Sequence, residues 1–195
     1  MGALTDELVP VALTGDTREL VPLVLRHCPG KNDVEIRAAL AEALRRFFTE
    51  SKAWRVPMTA HPEVEGGPAY VFTALSPGEI HCVCEIRSRG GAYPPPSHLC
   101  EDGYTIIFYE AIPSDMIPYA VIVPKRGDDH APAHLLAKWG EAIAFGALHE
   151  LAANGAAAAA TSWKARYDNA VSEALLEAQP RMGGTIRADY GAEVI

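Results

Sequence analysis

The residues best suited to chemistry are cysteines and histidines in two short stretches, His81-Cys82-Val83-Cys84 and His98-Leu99-Cys100. Side chains alternate along a strand, so Cys82 and Cys84 are expected on one face, with the second stretch as a possible other half of a zinc site. Structural zinc sites instead use C-x2-C or longer loops that wrap the ion. We therefore interpret the two cysteines as small buried hydrophobic residues on the inner face of a strand and predict no metal or cofactor.

Catalytic motifs are not found elsewhere in the sequence. His130 and His134 are four residues apart without the glutamate of a metalloprotease, and His149-Glu150 lacks the second histidine of H-E-x-x-H. The chain contains no G-x-S-x-G, and Asp128-Asp129 is typical of a solvated turn. We predict no catalytic residues and no enzymatic activity.

Composition indicates a globular protein. The 195 residues are 49% hydrophobic and 22% charged, which fits one domain or one domain with a substantial insertion. The net charge of -8 argues against binding nucleic acid by bulk electrostatics, which needs clustered Lys and Arg. We expect no secretory signal and no membrane span, and four cysteines are too few for a disulfide scaffold. A reducing cytoplasm is the expected compartment.

The first elements are expected to be an arm over the first seventeen residues, a short helix over Arg18 to Arg26 capped by Thr17, and a long amphipathic helix. Asn32 is a suitable N-cap for the long helix. Its apolar residues recur with a period of 3.6, and Phe47 and Trp54 are predicted to be buried.

Residues 55–130 have a different composition, in which Pro and Gly separate short runs rich in Val, Ile, Tyr and Phe. Because the connections are short, we predict a small antiparallel β-subdomain inserted between helices. The candidate strands are Val56 to Ala60, Tyr70 to Leu75, Ile80 to Arg87, Tyr104 to Tyr109 and Tyr119 to Pro124.

The last third predicts a helical hairpin. Its first helix begins at Pro132 and runs to about Ala153, and its second carries Trp163 and Tyr167 on an apolar stripe; Trp139 and Trp163 are predicted to be buried. The alanine run from Ala156 to Ala160 is interpreted as a connection that is partly helical. Small residues permit close approach of another helix, and we predict ring packing at Gly140, Ala144, Gly146 and Ala147.

These observations predict an α+β fold: a bundle of about four helices, an inserted antiparallel β-subdomain and an extended C-terminal arm. The segments are residues 1–54 (arm and first helices), 55–130 (β-subdomain), 131–180 (helical hairpin) and 181–195 (arm). Gly183-Gly184 weakens autonomous structure in the last segment, which nevertheless carries apolar anchors and charges. Its predicted contact residues are Arg181, Ile186, Arg187, Tyr190, Val194 and Ile195.

Several stretches, taken in order, resemble the head-to-tail adaptor (connector) proteins of tailed bacteriophages, over about residues 18 to 180. The alanine run departs from the family, in which a shorter turn containing proline is expected. The similar stretches are Leu20 to Leu25, Cys28 to Gly30, Asp33 to Leu40, Phe47 to Ser51 with Trp54, Ile117 to Pro124, Pro132 to Leu136, Gly140 to Leu148, and Trp163, Ala165, Tyr167 and Ala170 to Ala178.

The resemblance implies a structural virion protein in the neck, assembled in the host cytoplasm. It implies a ring of copies of this chain, commonly twelvefold, that docks beneath the portal protein and extends the DNA channel towards stopper or tail proteins. The terminal arm would order on binding the portal. An acidic lumen would bind passing double-stranded DNA weakly and let it slide.

Two other functions remain open at this point. A stopper or tail terminator is the first, although such proteins tend to be dominated by β-structure, whereas this chain has more helix than strand patterns. The second is a small metal-binding protein built on Cys82, Cys84, His98 and Cys100, which metal analysis of the purified protein would identify.

Overall fold

The computed structural model describes residues 14–61, 71–73, 78–88, 91–101, 103–110, 112–152 and 157–179. Over these residues the fold is α+β, with four α-helices and several small antiparallel sheets, as the sequence predicts. Most of the predicted N-terminal arm and all of the C-terminal arm, 181–195, lie outside the described residues.

The described chain begins with strand β1 (Thr14–Asp16), a 3-10 helix (Thr17–Leu20) and helix α1 (Val21–His27). Asp16, rather than the predicted Thr17, is the N-cap of the 3-10 helix. Its carboxylate accepts a hydrogen bond from the Arg18 amide at 2.7 Å. Pro22 lies in the first turn of α1, where its missing N–H breaks no helical hydrogen bond.

Helix α2 (Asp33–Ser51) begins at the predicted N-cap. Asn32 Oδ1 accepts from the Glu35 amide at 2.8 Å, and Glu35 Oε2 accepts from the Asn32 amide at 3.1 Å. Such a capping box satisfies two backbone donors that the helix cannot. The helix ends where Lys52 adopts a left-handed conformation with φ 53°.

Two four-stranded antiparallel sheets follow, in the orders β2-β9-β5-β6 and β3-β4-β8-β7. Every predicted strand corresponds to at least one of these, and the first is divided in two at Met58. The bounds are β2 (Arg55–Pro57), β3 (Thr59–His61), β4 (Val71–Thr73), β5 (Glu79–Ser88), β6 (Gly91–Tyr93), β7 (His98–Glu101), β8 (Thr105–Phe108) and β9 (Ile117–Val123).

The first helix of the hairpin begins one residue later than predicted, and the second begins earlier than predicted. Pro132 is the last residue of a further strand, β10 (His130–Pro132), which pairs with β1, so α3 spans Ala133–Ala152. The predicted boundary at residue 130 therefore falls inside β10. Helix α4 (Ala157–Ala178) already includes most of the alanine run, as the high helix propensity of alanine favours.

Helices and sheet share one hydrophobic core. Phe47 of α2 is fully buried, with its ring centroid 5.7 Å from that of Trp139 in α3 and 6.1 Å from that of Tyr167 in α4. The next residue, Phe48, contacts Trp54 at 5.6 Å, and the Trp54 carbonyl accepts a hydrogen bond from the Ile122 amide of β9. Helix α2 therefore joins the hairpin to the sheet.

Three of the four aromatic residues predicted to be buried are buried: Phe47, Trp54 and Trp139. Trp163 is only partly buried, which corrects that prediction. Its ring stacks on Phe145 with centroids 5.4 Å apart, at the border of the hairpin, and Tyr167 of the next turn enters the core instead.

We predict that Trp139→Ala lowers the free energy of unfolding by about 3–5 kcal/mol, because the side chain is 7% exposed and packs on Phe47. Urea denaturation followed by circular dichroism measures the loss. The matched control is Leu176→Ala, at a side chain that is 68% exposed, with an expected change within about 0.5 kcal/mol. Equal losses for the two variants would contradict this assignment of the core.

Candidate functional site

The four small residues predicted for ring packing lie inside the subunit. Ala144 and Ala147 have no exposed surface. A Cβ on Gly140 would lie 3.0 Å from Leu20 Cδ2, and one on Gly146 would lie 2.9 Å from the ring of Tyr167. Packing within the chain thus accounts for their size, and a contact between subunits there would have to be made through neighbouring exposed residues.

An ionic network surrounds Gly146 and joins α2, α3 and α4. Arg46 lies 2.5 Å from Glu150 Oε1 and stacks on the Tyr167 ring at 5.0 Å. The Tyr167 hydroxyl donates to Glu50 Oε2 at 3.0 Å. Burial raises the pKa of Tyr167, so its hydroxyl stays protonated and remains a donor throughout the physiological range. The network fixes the helices by satisfying their polar groups where they pack.

A second arginine of α2 connects the helices to the sheet. Arg45 Nη2 lies 2.6 Å from Glu79 Oε1 of β5, and its Nη1 donates to the carbonyl of Pro124 just after β9. The two side chains are 28% and 33% exposed, so the pair is partly shielded from solvent. Charge-assisted hydrogen bonds of this kind are stronger than those between neutral groups.

The cysteine strand differs from the prediction. Register shifts in β5 between Ile80 and Cys82, and between Val83 and Glu85, interrupt the simple alternation. Val83 enters the core, whereas Cys82 and Cys84 are only half-buried, which corrects their placement on the inner face. Cys84 Sγ donates to a backbone carbonyl at 3.2 Å, and burial raises the pKa of both thiols.

His98 lies in the other sheet, where its Nδ1 is 2.8 Å from the Pro96 carbonyl and its ring packs on Phe108. Cys100 is paired with Ile106 in the same sheet. Among the described side chains, Cys82, Cys84 and His98 do not form a group of three with ligand atoms within 4.8 Å of one another.

The same strand carries a buried carboxylate that the sequence analysis did not identify. Glu85 is 3% exposed, and its Oε1 lies 2.5 Å from Arg87 Nη2 and 3.5 Å from Arg55 Nη1. Arg87 stacks on Tyr119 of β9 at 4.2 Å. Oε2 has no hydrogen-bond partner among the described residues. Glu85 and Arg87 are two residues apart, a spacing that places them on the same face of a strand. Nothing in the sequence indicates that Arg55, on a distant segment, also pairs with Glu85.

An open groove of about 310 Å³ lies where the connection between α1 and α2 meets the hairpin. Its lining includes His27 and Trp163, whose ring centroids are 4.9 Å apart, together with Lys31 and Leu151. The Arg166 guanidinium lies 5.3 Å from the centroids of both Trp163 and Phe145. This aromatic and cationic surface is shaped by described residues of three helices.

Large apolar side chains are also exposed on the helical body. Val34 on α2 is 76% exposed and Leu176 on α4 is 68% exposed. Scattered exposed apolar residues are normal, and these two are the most exposed large apolar side chains on the described helices. The predicted arm contacts lie outside the described residues: Arg181, Ile186, Arg187, Tyr190, Val194 and Ile195.

We predict that Glu85→Gln lowers the free energy of unfolding by about 3 kcal/mol, because it leaves the guanidinium of Arg55, 14% exposed, without its counter-charge. The control is Asp168→Asn, which removes an exposed i,i+4 partner of Lys164 and should cost less than about 1 kcal/mol. Chemical denaturation of both variants compares them. A Glu85→Gln protein as stable as the control would show that the carboxylate is dispensable.

Comparison with known proteins adds no assignment: no family model matches the chain, and no curated protein matches its sequence. None of the described helices is long and apolar enough to cross a membrane.

Proposed function

We propose that the chain is a structural, non-enzymatic head-to-tail adaptor that forms a ring beneath the portal of a tailed bacteriophage. The observation that carries the proposal is the order of the elements, because most of the stretches that resemble the family fall on described helices or strands. The short helix α1, the capped helix α2, the strand β9 followed by Pro124, and the α3–α4 hairpin occur in the expected order.

The distribution of secondary structure also supports an adaptor over the alternatives. More of the described residues lie in helices than in strands, whereas a stopper or tail terminator is expected to be dominated by strands. The metal-binding alternative loses support because Cys82, Cys84 and His98 do not gather in the described part of the chain.

A ring built from identical subunits needs two different, complementary surfaces on each subunit. The small residues Gly140, Ala144, Gly146 and Ala147 are covered by the chain itself, so the ring contact is proposed to use exposed apolar residues instead. Val34 and Leu176 are the most exposed of these on the helical body.

Stopper or tail proteins would bind the ring from below. The net charge of -8 is compatible with a channel through which DNA passes without being held.

The ring contact is tested with Val34→Glu and Leu176→Glu. Each places a charge where the proposed interface removes water, so we expect loss of rings on portal-bearing heads without a change in melting temperature. Negative-stain images and mass measurement of the portal complex count the copies. Ala137→Glu, at an exposed alanine of α3, is the matched control and should assemble normally. A portal complex with only one or two copies of the wild-type chain would contradict the ring.

The segment 181–195 is proposed to attach the ring to the portal protein. Its apolar residues Ile186, Tyr190 and Val194 would serve as anchors, and many copies around a ring would give avidity to a weak individual contact. The proposed location is therefore the virion neck, reached after assembly in the host cytoplasm.

Deleting 181–195 should leave the subunit folded, because every buried core residue in the described chain precedes Gln179. The same deletion should abolish attachment to portal-bearing heads. Co-sedimentation with heads measures attachment, and circular dichroism measures folding. If the truncated protein docks with unchanged affinity, attachment lies in the helical body and the anchor role of this segment is wrong.

A further inference from the structure

The open groove between the α1–α2 connection and the hairpin has a largely apolar lining. Its apolar residues are Cys28, Leu151, Ala152, Ala159 and Trp163. A second depression, of about 440 Å³, adjoins the groove, since Lys31 and Leu151 line both. Exposed apolar surface bordered by polar groups is typical of a place where another segment or molecule binds.

The charges at the groove favour an acidic occupant. Lys31 belongs to the lining, and the described lining residues of the groove include no carboxylate. The Arg166 guanidinium lies 5.3 Å from the Trp163 ring centroid, beside the same lining. The carboxylates of the adjoining depression, Glu35 and Glu150, each lie within ion-pair distance of a cation. A segment that carries both apolar and acidic side chains would therefore be complementary to this surface.

Residues 1–13 have this composition. Eight of the thirteen are hydrophobic, and the only charged side chains are those of Asp6 and Glu7. Segments that stay unbound in solution usually combine low hydrophobicity with high net charge, which is not the composition here. The other terminal segment, 181–195, is less complementary, because its two arginines offset its two acidic side chains.

We propose that residues 1–13 bind in the groove of their own subunit that Leu151 and Trp163 line. Leu4 contacts the apolar lining, and Asp6 and Glu7 lie near the cations beside it. The segment thereby covers apolar surface that the described helices leave open. The inference concerns the single subunit and does not depend on the adaptor function.

The segment is long enough to reach the groove. A Cβ on Gly15 would lie 3.2 Å from Ala133 Cα at the start of α3, whereas Leu151 is near the end of that helix. An α-helix rises about 27 Å from Ala133 to Leu151, and thirteen extended residues span about 43 Å. The residues from Asp6 onwards can therefore span the helix, which leaves Leu4 at the groove.

Attachment to the same chain favours the subunit's own segment over that of another copy. A short tether gives an effective concentration on the order of millimolar, which exceeds the concentration of free copies in dilute solution. A segment that reaches its own groove therefore occupies it first. The occupant of the groove is identified by a chemical cross-link.

The experiment is disulfide trapping in the full chain, because the half-buried Cys28 lines the groove. Ala3→Cys places a second thiol next to Leu4 and keeps both acidic residues. After mild oxidation of mixed isotope-labelled and unlabelled protein, peptide mapping by mass spectrometry identifies the linked thiols and shows whether they come from one chain. We expect the introduced thiol to link to Cys28 within one chain.

Ile186→Cys is the matched variant for the other terminal segment. We expect its link to Cys28 to form at least about fivefold more slowly than that of Ala3→Cys, because the segment 181–195 is not held at the groove. An Ile186→Cys link that forms as fast or faster would overturn the proposal. So would an Ala3→Cys thiol that links to Cys28 only between chains, or that links to the other cysteines instead.

A charge reversal tests the contribution of the acidic residues. Adding Asp6→Lys and Glu7→Lys to the Ala3→Cys chain should slow the link to Cys28 by about threefold or more, because the segment then carries the same charge sign as Lys31. Glu173→Lys, at an exposed position of α4 that does not line the groove, is the control and should leave the rate unchanged. Equal rates for the reversed segment and the control would show that charge does not direct the segment to the groove.

Discussion

The structure depends most on one turn of helix α2, residues 45 to 48. Successive residues of a helix point about 100° apart, so this turn faces several neighbours at once. Phe47 packs on the α3–α4 hairpin and Phe48 on Trp54 at the start of the sheet. Arg45 and Arg46 make ion pairs to the sheet and the hairpin respectively. The apolar contacts supply most of the stability, and the arginines fix the orientation of what they contact.

This arrangement explains why small residues are concentrated in α3. Gly146 lies beneath the Tyr167 ring and beside Ala43, so α2, α3 and α4 approach one another closely at one level. A glycine in a helix interior costs about 1 kcal/mol relative to alanine, and here the close packing offsets that cost. Because Tyr167 carries a hydroxyl into this region, it needs the polar partners Arg46 and Glu50.

The parts of the fold that were predicted from sequence are those that local chemistry determines. The capping box at Asn32 and Glu35 and the regular apolar period of α2 identify that helix without any knowledge of its neighbours. The apolar run from Tyr119 to Pro124 predicted strand β9 for the same reason. These signals act over a few residues, and the tertiary structure reinforces them.

The parts that were missed depend on residues distant in the chain. The β1–β10 ribbon joins residues more than a hundred positions apart, and neither three-residue strand alternates clearly between apolar and polar side chains. The prediction that Cys82 and Cys84 are buried on the inner face was wrong, since both are half-buried at a stretch of β5 where the register against β9 shifts. Gly140 and Gly146 correctly indicated close approach, but a sequence cannot say whether the approaching residues belong to the same subunit.

The ionic groups divide into two kinds according to their burial, and the two kinds have different consequences. Glu85 with Arg55 is shielded from water, so removing either charge leaves the other buried without a partner, which lowers stability. His130 with Asp128 and Asp129 is more exposed, so solvent screens these ion pairs and they contribute little to stability. The N-terminal strand β1 is attached at the border of the helical hairpin by three residue pairs with β10.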